Sequence, residues 1–321
     1  MKRAGLAVLL LAAGAVPALA SDFQLFKLTV VLTYAMALVG LNMLAGYNGQ
    51  ISLGHGAFYT LGAYVAAVLV AHAGTPHLLA LPIAGATCLV AGFLFALPLV
   101  RVPGVQFALV TFALAGVVPQ IANYKGIEGW TGGSQGLGLE QPEVPFGLPL
   151  SYDQWMYSLT LLLLVLLFVL ASNLLGGRIG RAVMAIRDHP LAAQAMGIDA
   201  TYYKSMIFGI SAMYAGIAGA LSGLALLYVS PASIFLSLSF LIGSAVGGIA
   251  TLSGALYGAA VLQLILFATG EIAQSVKTPA VLAIYGIIVI MFLHFLPAGI
   301  AGLIANFPAG LRRRPGAPSG R

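Results

Sequence analysis

Long apolar windows, separated by short polar segments, repeat along the chain between residues 5 and 302. Several of them carry no charged side chain over about 20 residues, a length that crosses the hydrocarbon core of a bilayer as an α-helix. The windows are residues 5–21, 27–46, 51–71, 78–100, 104–123, 154–175, 204–228, 235–250, 253–270 and 280–302. The pattern predicts an all-α, polytopic membrane protein of about ten transmembrane helices.

The composition supports the same fold class. Of the 321 residues, 60% are hydrophobic and 7% are charged, whereas soluble domains carry roughly 25% charged residues. The formal net charge of +6 does not indicate nucleic-acid binding, because most basic residues lie where membrane topology places them. The single cysteine, Cys88, lies in an apolar window, so we expect neither an intramolecular disulfide nor thiol chemistry.

The distribution of Lys and Arg predicts the orientation of the chain, since these residues are enriched in cytoplasmic loops. If the N-terminus is cytoplasmic, eleven basic residues lie on the inner side and three on the outer side. The inner set is Lys2, Arg3, Arg101, Arg178, Arg181, Arg187, Lys204, Arg312, Arg313, Arg314 and Arg321, and the outer set is Lys27, Lys125 and Lys277. We therefore predict that both termini are cytoplasmic.

The start of the chain has two interpretations. Lys2 and Arg3, the apolar run and the sequence ALA at 18–20 are typical of a signal peptide with a cleavage site. We favour an uncleaved first helix. Cleavage would leave nine spans with the same orientation, so the functional interpretation does not depend on this choice.

Two longer polar segments divide the chain. The outer loop 124–153 is expected to be ordered only in part, and the inner loop 177–203 separates two halves of five helices. Because five is odd, the halves would be inverted relative to each other. Gly- and Ser-rich stretches that open spans in both halves are also explained by close helix packing. We expect a transmembrane domain at 1–311 and a basic cytoplasmic tail at 312–321.

The inner loop contains a short predicted helix. Asp188 can cap its start, Pro190 fits the first turn, and Gly197 is a natural end. A helix of about two turns is unstable alone in water, so its neighbours must hold it. Small side chains at Ala192 and Ala193 would let another protein approach closely. The alternative is an ordinary basic loop that only fixes the topology.

Three segments carry a family resemblance. The spacing L-A-A-x-x-x-G at 191–197 resembles the E-A-A-x-x-x-G loop of ABC importer permeases, although Leu191 replaces the glutamate. In those permeases a short coupling helix seats in a cleft of the ATPase subunit. The longer run at 177–198, the segment 40–67 and WTGGSQGL at 130–137 resemble LivM-type permease subunits of branched-chain amino-acid importers.

The resemblance implies a permease of the bacterial inner membrane that imports leucine, isoleucine and valine. Its implied partners are a second homologous permease, two cytoplasmic ATPases and a soluble substrate-binding protein outside the membrane. ATP and Mg²⁺ would bind to the ATPases, and this chain would carry no cofactor and no metal. The absence of G-x-x-x-x-G-K-[ST] from the sequence agrees with that division. ATPase coupling is assigned to Arg187, Asp188, Pro190, Leu191, Ala192, Ala193, Met196 and Gly197.

The segment 46–64 is unusually polar for a span. Polar side chains at membrane depth normally face the protein interior or a water-filled path. Candidates for the translocation path are Asn42, Asn48, Gln50, Ser52, His55 and Tyr59. Asn42 and Gln50 are favoured because uncharged amides can bind a passing zwitterion without trapping it. His55 has no second histidine within ligand spacing, which favours helix packing over a metal site.

The outer loop is the expected docking surface for the binding protein. The resemblance implies a structured turn there, and the candidate residues are Thr131, Gly132, Gly133, Glu140 and Glu143. Ser134 completes a G-x-S-x-G sequence. A nucleophile elbow needs a strand before the serine and a helix after it, which a glycine-rich outer loop does not supply.

Other functions remain open. Closely related permeases serve urea and amide importers. An ion-coupled transporter or channel would need no ATPase, but no span carries Asp or Glu at its middle for a proton relay. An intramembrane enzyme would depend on His55 with Ser52 or Ser134.

Overall fold

A computed structural model of the protein describes residues 13–102, 104–142, 144–147, 149–231, 233–249, 251–276, 281–295 and 299–303. The start of the first predicted helix, the basic tail 312–321 and Glu143 lie outside these residues. The same holds for Lys2, Arg3 and Lys277, so the charge argument can be followed only for the remaining basic residues.

The described chain is almost entirely helical, which confirms the predicted all-α class. Its helices are α1 (13–19), α2 (Asp22–Asn42), α3 (His55–Ala73), α4 (His77–Leu99), α5 (Gly104–Ala122), α6 (Glu128–Thr131), α7 (Tyr152–Gly176), α8 (Arg178–Asp188), α9 (Pro190–Ala195), α10 (Ala200–Leu226), α11 (Ser233–Gly247), α12 (Leu252–Val276) and α13 (Val281–Phe295). A π-helical turn, Met43–Tyr47, extends α2. Two short strands, β1 (Leu137–Gly138) and β2 (Tyr228–Val229), pair antiparallel.

Seven of the described helices are long and apolar enough to cross a membrane, namely α2, α3, α4, α5, α7, α10 and α12. Helix α11 is apolar but shorter. Each of the ten predicted windows overlaps a helix of the described chain. The polytopic architecture is therefore confirmed, whereas the arrangement in two inverted halves stays a prediction.

Helix α10 lies at the centre of the bundle, against α2, α3 and α4. Small residues permit this packing: a Cβ on Gly62 would overlap Gly216, and one on Gly219 would overlap the carbonyl of Tyr59. A Cβ on Gly40 would lie 2.8 Å from the carbonyl oxygen of Ser211. The Gly- and Ser-rich spans thus reflect close helix contact within the bundle.

The N-terminal ends of two neighbouring helices, α2 and α7, are fixed by the same local chemistry. Ser21 and Gln24 form a capping box at the start of α2, and Ser151 and Gln154 form one at the start of α7. The Ser151 hydroxyl also donates to Asp22 Oδ1 at 2.7 Å. Polar side chains at the membrane boundary therefore satisfy the free amides of both helices and join the helices to each other.

Candidate functional site

The polar segment at 46–64 contains an interrupted span. The chain is not helical from Gly49 to Gly54, and α3 begins at His55 rather than at the predicted residue 51. The amide of Leu53 donates to Thr111 Oγ1 at 3.0 Å, and Thr111 lies near the middle of α5. Helix α3 therefore begins deep in the bundle, because the segment before it is not helical.

Non-helical backbone at membrane depth is tolerated only where protein buries it or where it lines a water-filled cavity. Here the amide of Gly56 donates to Ser237 Oγ of α11 at 2.9 Å, and the amide of Gly54 donates to Ser52 Oγ at 3.2 Å. Asn48 Nδ2 donates to Gln50 Oε1 at 2.7 Å. Three of the predicted path residues thus support the interruption itself. The contact between the starts of α3 and α11 joins two helices from different halves of the chain.

Asn42 is fully buried, and three hydrogen bonds hold its side-chain amide. Its Nδ2 donates to the carbonyls of Gly248 and Thr251 at 3.2 and 2.8 Å, and its Oδ1 accepts from Ser244 Oγ at 2.5 Å. These bonds use both amide hydrogens and one of the two lone pairs of the oxygen. Asn42 therefore ties α2 to the turn that joins α11 to α12, and its place in the translocation path stays a prediction.

His55 is also held by a hydrogen bond. Its Nε2 lies 2.9 Å from Ser211 Oγ, and that hydroxyl donates to the carbonyl of Gly40 at 2.7 Å. Since the hydroxyl hydrogen is committed to Gly40, the imidazole must donate and cannot act as a base toward Ser211. Among the described residues no group of three or more His, Cys, Asp or Glu could hold a metal ion.

The remaining path candidates lie at different depths in the bundle. Gln50 lines an inner pocket of about 400 Å³ whose rim carries Arg101 and Lys204. Tyr59 lies farther along α3, is buried, and lines a different cavity toward the outer side of the bundle. The structure therefore does not bring all the predicted path residues to one site. The second cavity also includes Gln263, a lone amide in an apolar window that sequence reasoning could have singled out.

The inner loop contains two helices, of which the sequence analysis predicted one. Helix α8 buries Gly180, Val183 and Ile186, one residue in three, and this periodicity was the signal for it. Asp188 is the last residue of α8, so its predicted role as the cap of the next helix is wrong. The residue before α9 is His189, which makes no side-chain cap hydrogen bond.

Pro190 lies at the start of the short helix α9 and Gly197 just past its end, as predicted, and the helix itself spans Pro190–Ala195. Pro190 occupies its first turn, where no backbone amide hydrogen is needed. Gly197 has φ +80°. Its amide donates to the carbonyl of Gln194 at 2.9 Å, and the amide of Ile198 donates to that of Ala193 at 3.1 Å. This pair of bonds is a Schellman motif, which requires a left-handed residue at the position of Gly197.

The side chains of α9 divide into a buried and an exposed set. Leu191 and Met196 are 81% and 83% exposed, and Ala192 is exposed as well. Ala193 is only 4% exposed, because α9 packs on α8 and α10. The structure thus corrects the expectation that a partner would approach at Ala193, which faces its own chain.

Arg187 anchors this helix pair to the membrane domain. Its Nη1 donates to the carbonyl of Gly46 in the π-helical turn at 2.7 Å, and its Nε donates to Asp188 Oδ1 at 2.8 Å. The second bond holds the pKa of Asp188 below its usual value. A Cβ on Gly49 would lie 2.8 Å from Arg187 Cγ. The inner end of α2 and the end of α8 are therefore in direct contact.

The glycine-rich part of the outer loop is more ordered than expected. Thr131 Oγ1 donates to the carbonyl of Ala122 at 2.6 Å, and Gly132 and Gly133 have positive φ. Thr131 and Gly133 are buried, whereas Glu140 is exposed. Thr131 and Gly133 therefore shape the loop, and Glu140 is available for contact. Ser134 lies in a short 3₁₀ turn, which is not the strand-to-helix turn of a nucleophile elbow.

Comparisons with known proteins agree with this arrangement. The family described as branched-chain amino acid transport system / permease component matches residues 24–293. The chain belongs to this family. It is 30% identical to the high-affinity branched-chain amino acid transport system permease proteins LivM of Salmonella typhimurium and Escherichia coli, over 92% of this chain and 74% of each relative.

The permease protein BraD of Pseudomonas aeruginosa, named for the same kind of transport system, is 24% identical over 86% of this chain and 93% of its own. No solved structure matches the chain significantly. Membership of the family makes this chain a multi-pass membrane permease component of a transport system.

Proposed function

We propose that this chain is a permease subunit of an ATP-driven, binding-protein-dependent importer of leucine, isoleucine and valine. The part of this proposal that concerns coupling to the ATPase rests on the exposure of Leu191 in α9 and of Met196 directly after it. Two large apolar side chains on a short helix outside the bundle are costly in water and fit a contact with another protein. The cargo follows from the names of the relatives.

The proposed assembly contains a second homologous permease, two cytoplasmic ATPases and a binding protein outside the membrane. ATP and Mg²⁺ bind to the ATPases. The side of the membrane that holds α8 and α9 is then cytoplasmic, as are both termini, in the bacterial inner membrane. The outer loop 124–153 receives the binding protein, with Glu140 at the rim of the contact. Substrate passes between the two permeases.

The mechanism follows the contacts of the inner helices. Closure of the ATPase pair displaces α9, which moves together with α8 because the two helices are packed. Arg187 passes the displacement to the carbonyl of Gly46 and so to the inner end of α2. Asn42 connects that end to the turn between α11 and α12. Movement of the coupling helix would thus reach the interrupted span α3 and its contact with α11.

Single substitutions on α9 test the proposal in the assembled complex. Leu191→Asp and Met196→Asp each place a carboxylate at the proposed contact, where burial without a partner costs several kcal/mol. We expect loss of the ATPase on purification and loss of leucine uptake in proteoliposomes. Asn173→Asp, at an exposed position near the inner end of α7, is the control for added negative charge.

The proposal fails if both α9 variants keep the ATPase and take up leucine at the wild-type rate. Uptake by the chain alone, without ATPase or binding protein, would instead favour an ion-coupled transporter. Substrate-stimulated ATP hydrolysis measured with leucine, valine and urea separates the amino-acid importer from the related urea and amide importers.

A further inference from the structure

A cavity of about 210 Å³ lies in the outer half of the bundle, between α2, α3, α10, α11 and α12 and beneath the strand β2. The side chains of Tyr59, Thr60, Ser222 and Gln263, all buried, form its polar wall. Five helices and one strand therefore meet around one partly open space. An engineered protein cavity of about 150 Å³ holds one benzene molecule, so this one has room for a single small molecule.

Two buried hydroxyls at this cavity make no hydrogen bond of good geometry, namely Tyr59 Oη and Thr60 Oγ1, although the side chains of Ser222 and Thr33 lie close enough to interact with that of Tyr59. Buried polar groups are nearly always bonded because leaving them unpaired is costly. Thr29 and Thr33 bond the backbone of their own helix, as helical threonines commonly do. Thr60 does not, so its hydroxyl remains available to an occupant of the cavity.

The rest of the lining defines the chemistry of that occupant. None of the described lining residues is charged, and Val30, Ala63, Leu226, Val229 and Leu236 supply an apolar wall. An ion with a net charge would be buried without a counter-charge, which is strongly unfavourable. A molecule that is neutral overall, with one aliphatic end and one hydrogen-bonding end, fits both walls.

We propose that this cavity binds one zwitterionic aliphatic amino acid during transport, with the hydroxyls of Tyr59 and Thr60 donating to its carboxylate. The Gln263 side-chain oxygen accepts from the ammonium group, and the aliphatic side chain lies against Ala63 and Val30. Tyr59 is held in place by edge contacts with Tyr34 and a tilted contact with Phe240. The inference rests on the proposed function, because it assigns a site to the proposed cargo.

Leucine and valine uptake by the assembled complex in proteoliposomes tests the site. Tyr59→Phe and Thr60→Val remove one hydroxyl each, and uptake per ATP hydrolysed should fall by roughly tenfold, as expected for a lost hydrogen bond to a charged group. Thr160→Val is the matched control, because Thr160 Oγ1 is buried and unpartnered in α7 but does not line the cavity. We expect this control to transport at the wild-type rate.

Ala63→Leu reduces the space available and should lower the ratio of leucine to valine uptake in the same vesicles. This ratio does not depend on how much protein is folded, so a general loss of stability cannot imitate the result. Wild-type uptake in both hydroxyl variants together with an unchanged ratio in Ala63→Leu would overturn the site. A wild-type complex that takes up no leucine would contradict the proposed cargo instead, so the two failures are distinguishable.

Discussion

Replacement of Asn42 by Leu removes three hydrogen bonds while keeping a side chain of similar size. At about 0.6 kcal/mol for an average hydrogen bond between membrane helices and about 1.7 kcal/mol for the strongest, three bonds contribute about 2 to 5 kcal/mol. The change also leaves the carbonyls of Gly248 and Thr251 without their side-chain donor and Ser244 without its acceptor. We therefore expect Asn42→Leu to destabilise the bundle substantially.

Thermal unfolding of the purified protein in detergent measures this effect, and uptake per folded molecule measures function. The midpoint should fall clearly in Asn42→Leu and stay unchanged in Asn173→Leu, which alters an exposed amide on α7. Ser244→Ala should lose part of the same energy, and the double variant should lose less than the sum of the two, because the residues share a bond. An unchanged midpoint combined with altered leucine affinity would instead support the predicted role of Asn42 in the translocation path.

Three further outcomes are expected. Gly197→Val should weaken ATPase retention more than Gly197→Asn, because a left-handed residue with a Cβ costs about 1–2 kcal/mol and Asn tolerates that conformation best; equal retention would contradict this. In a Cys88→Ser background, a cysteine replacing His189 should react with an impermeant reagent in inverted vesicles but not in intact cells, and the reverse would refute the orientation. Glu140→Gln should slow association of the loaded binding protein chiefly at low ionic strength, measured by stopped-flow mixing with basal ATPase activity as the control.

The spans could be predicted from the sequence because lipid imposes a simple rule on every residue that faces it. Apolar windows must become helices at membrane depth, since only helices satisfy their own backbone there. The ends of α9 were equally predictable, because Pro190 and Gly197 act through their own backbone geometry. Both kinds of prediction depend on local chemistry alone.

Predictions that depended on distant contacts were less successful. The hydrogen bonds of Asn42 could not be foreseen because its partners lie more than 200 positions farther along the chain, and its place in the path stays a prediction. Ala193 looked available for a partner because the sequence does not show that α9 packs on α8 and α10. The start of α3 was placed too early because Thr111 and Ser237 accept the hydrogen bonds that an unbroken helix would have made.

The contact between Arg187 and Gly46 lies at the end of a helix, where backbone carbonyls are free to accept hydrogen bonds from other groups. The last carbonyls of a helix lack intrahelical donors and form the negative end of its dipole. The π-helical turn Met43–Tyr47 ends α2 there, and the chain then continues without helical structure to Gly54, so the carbonyl of Gly46 accepts from a guanidinium instead of a backbone amide. Because the bond is charge-assisted and Arg187 lies at the end of α8, a pull on α9 would act on α2 as a whole in the proposed mechanism. A flexible loop in the same place would absorb the motion before it reached the spans.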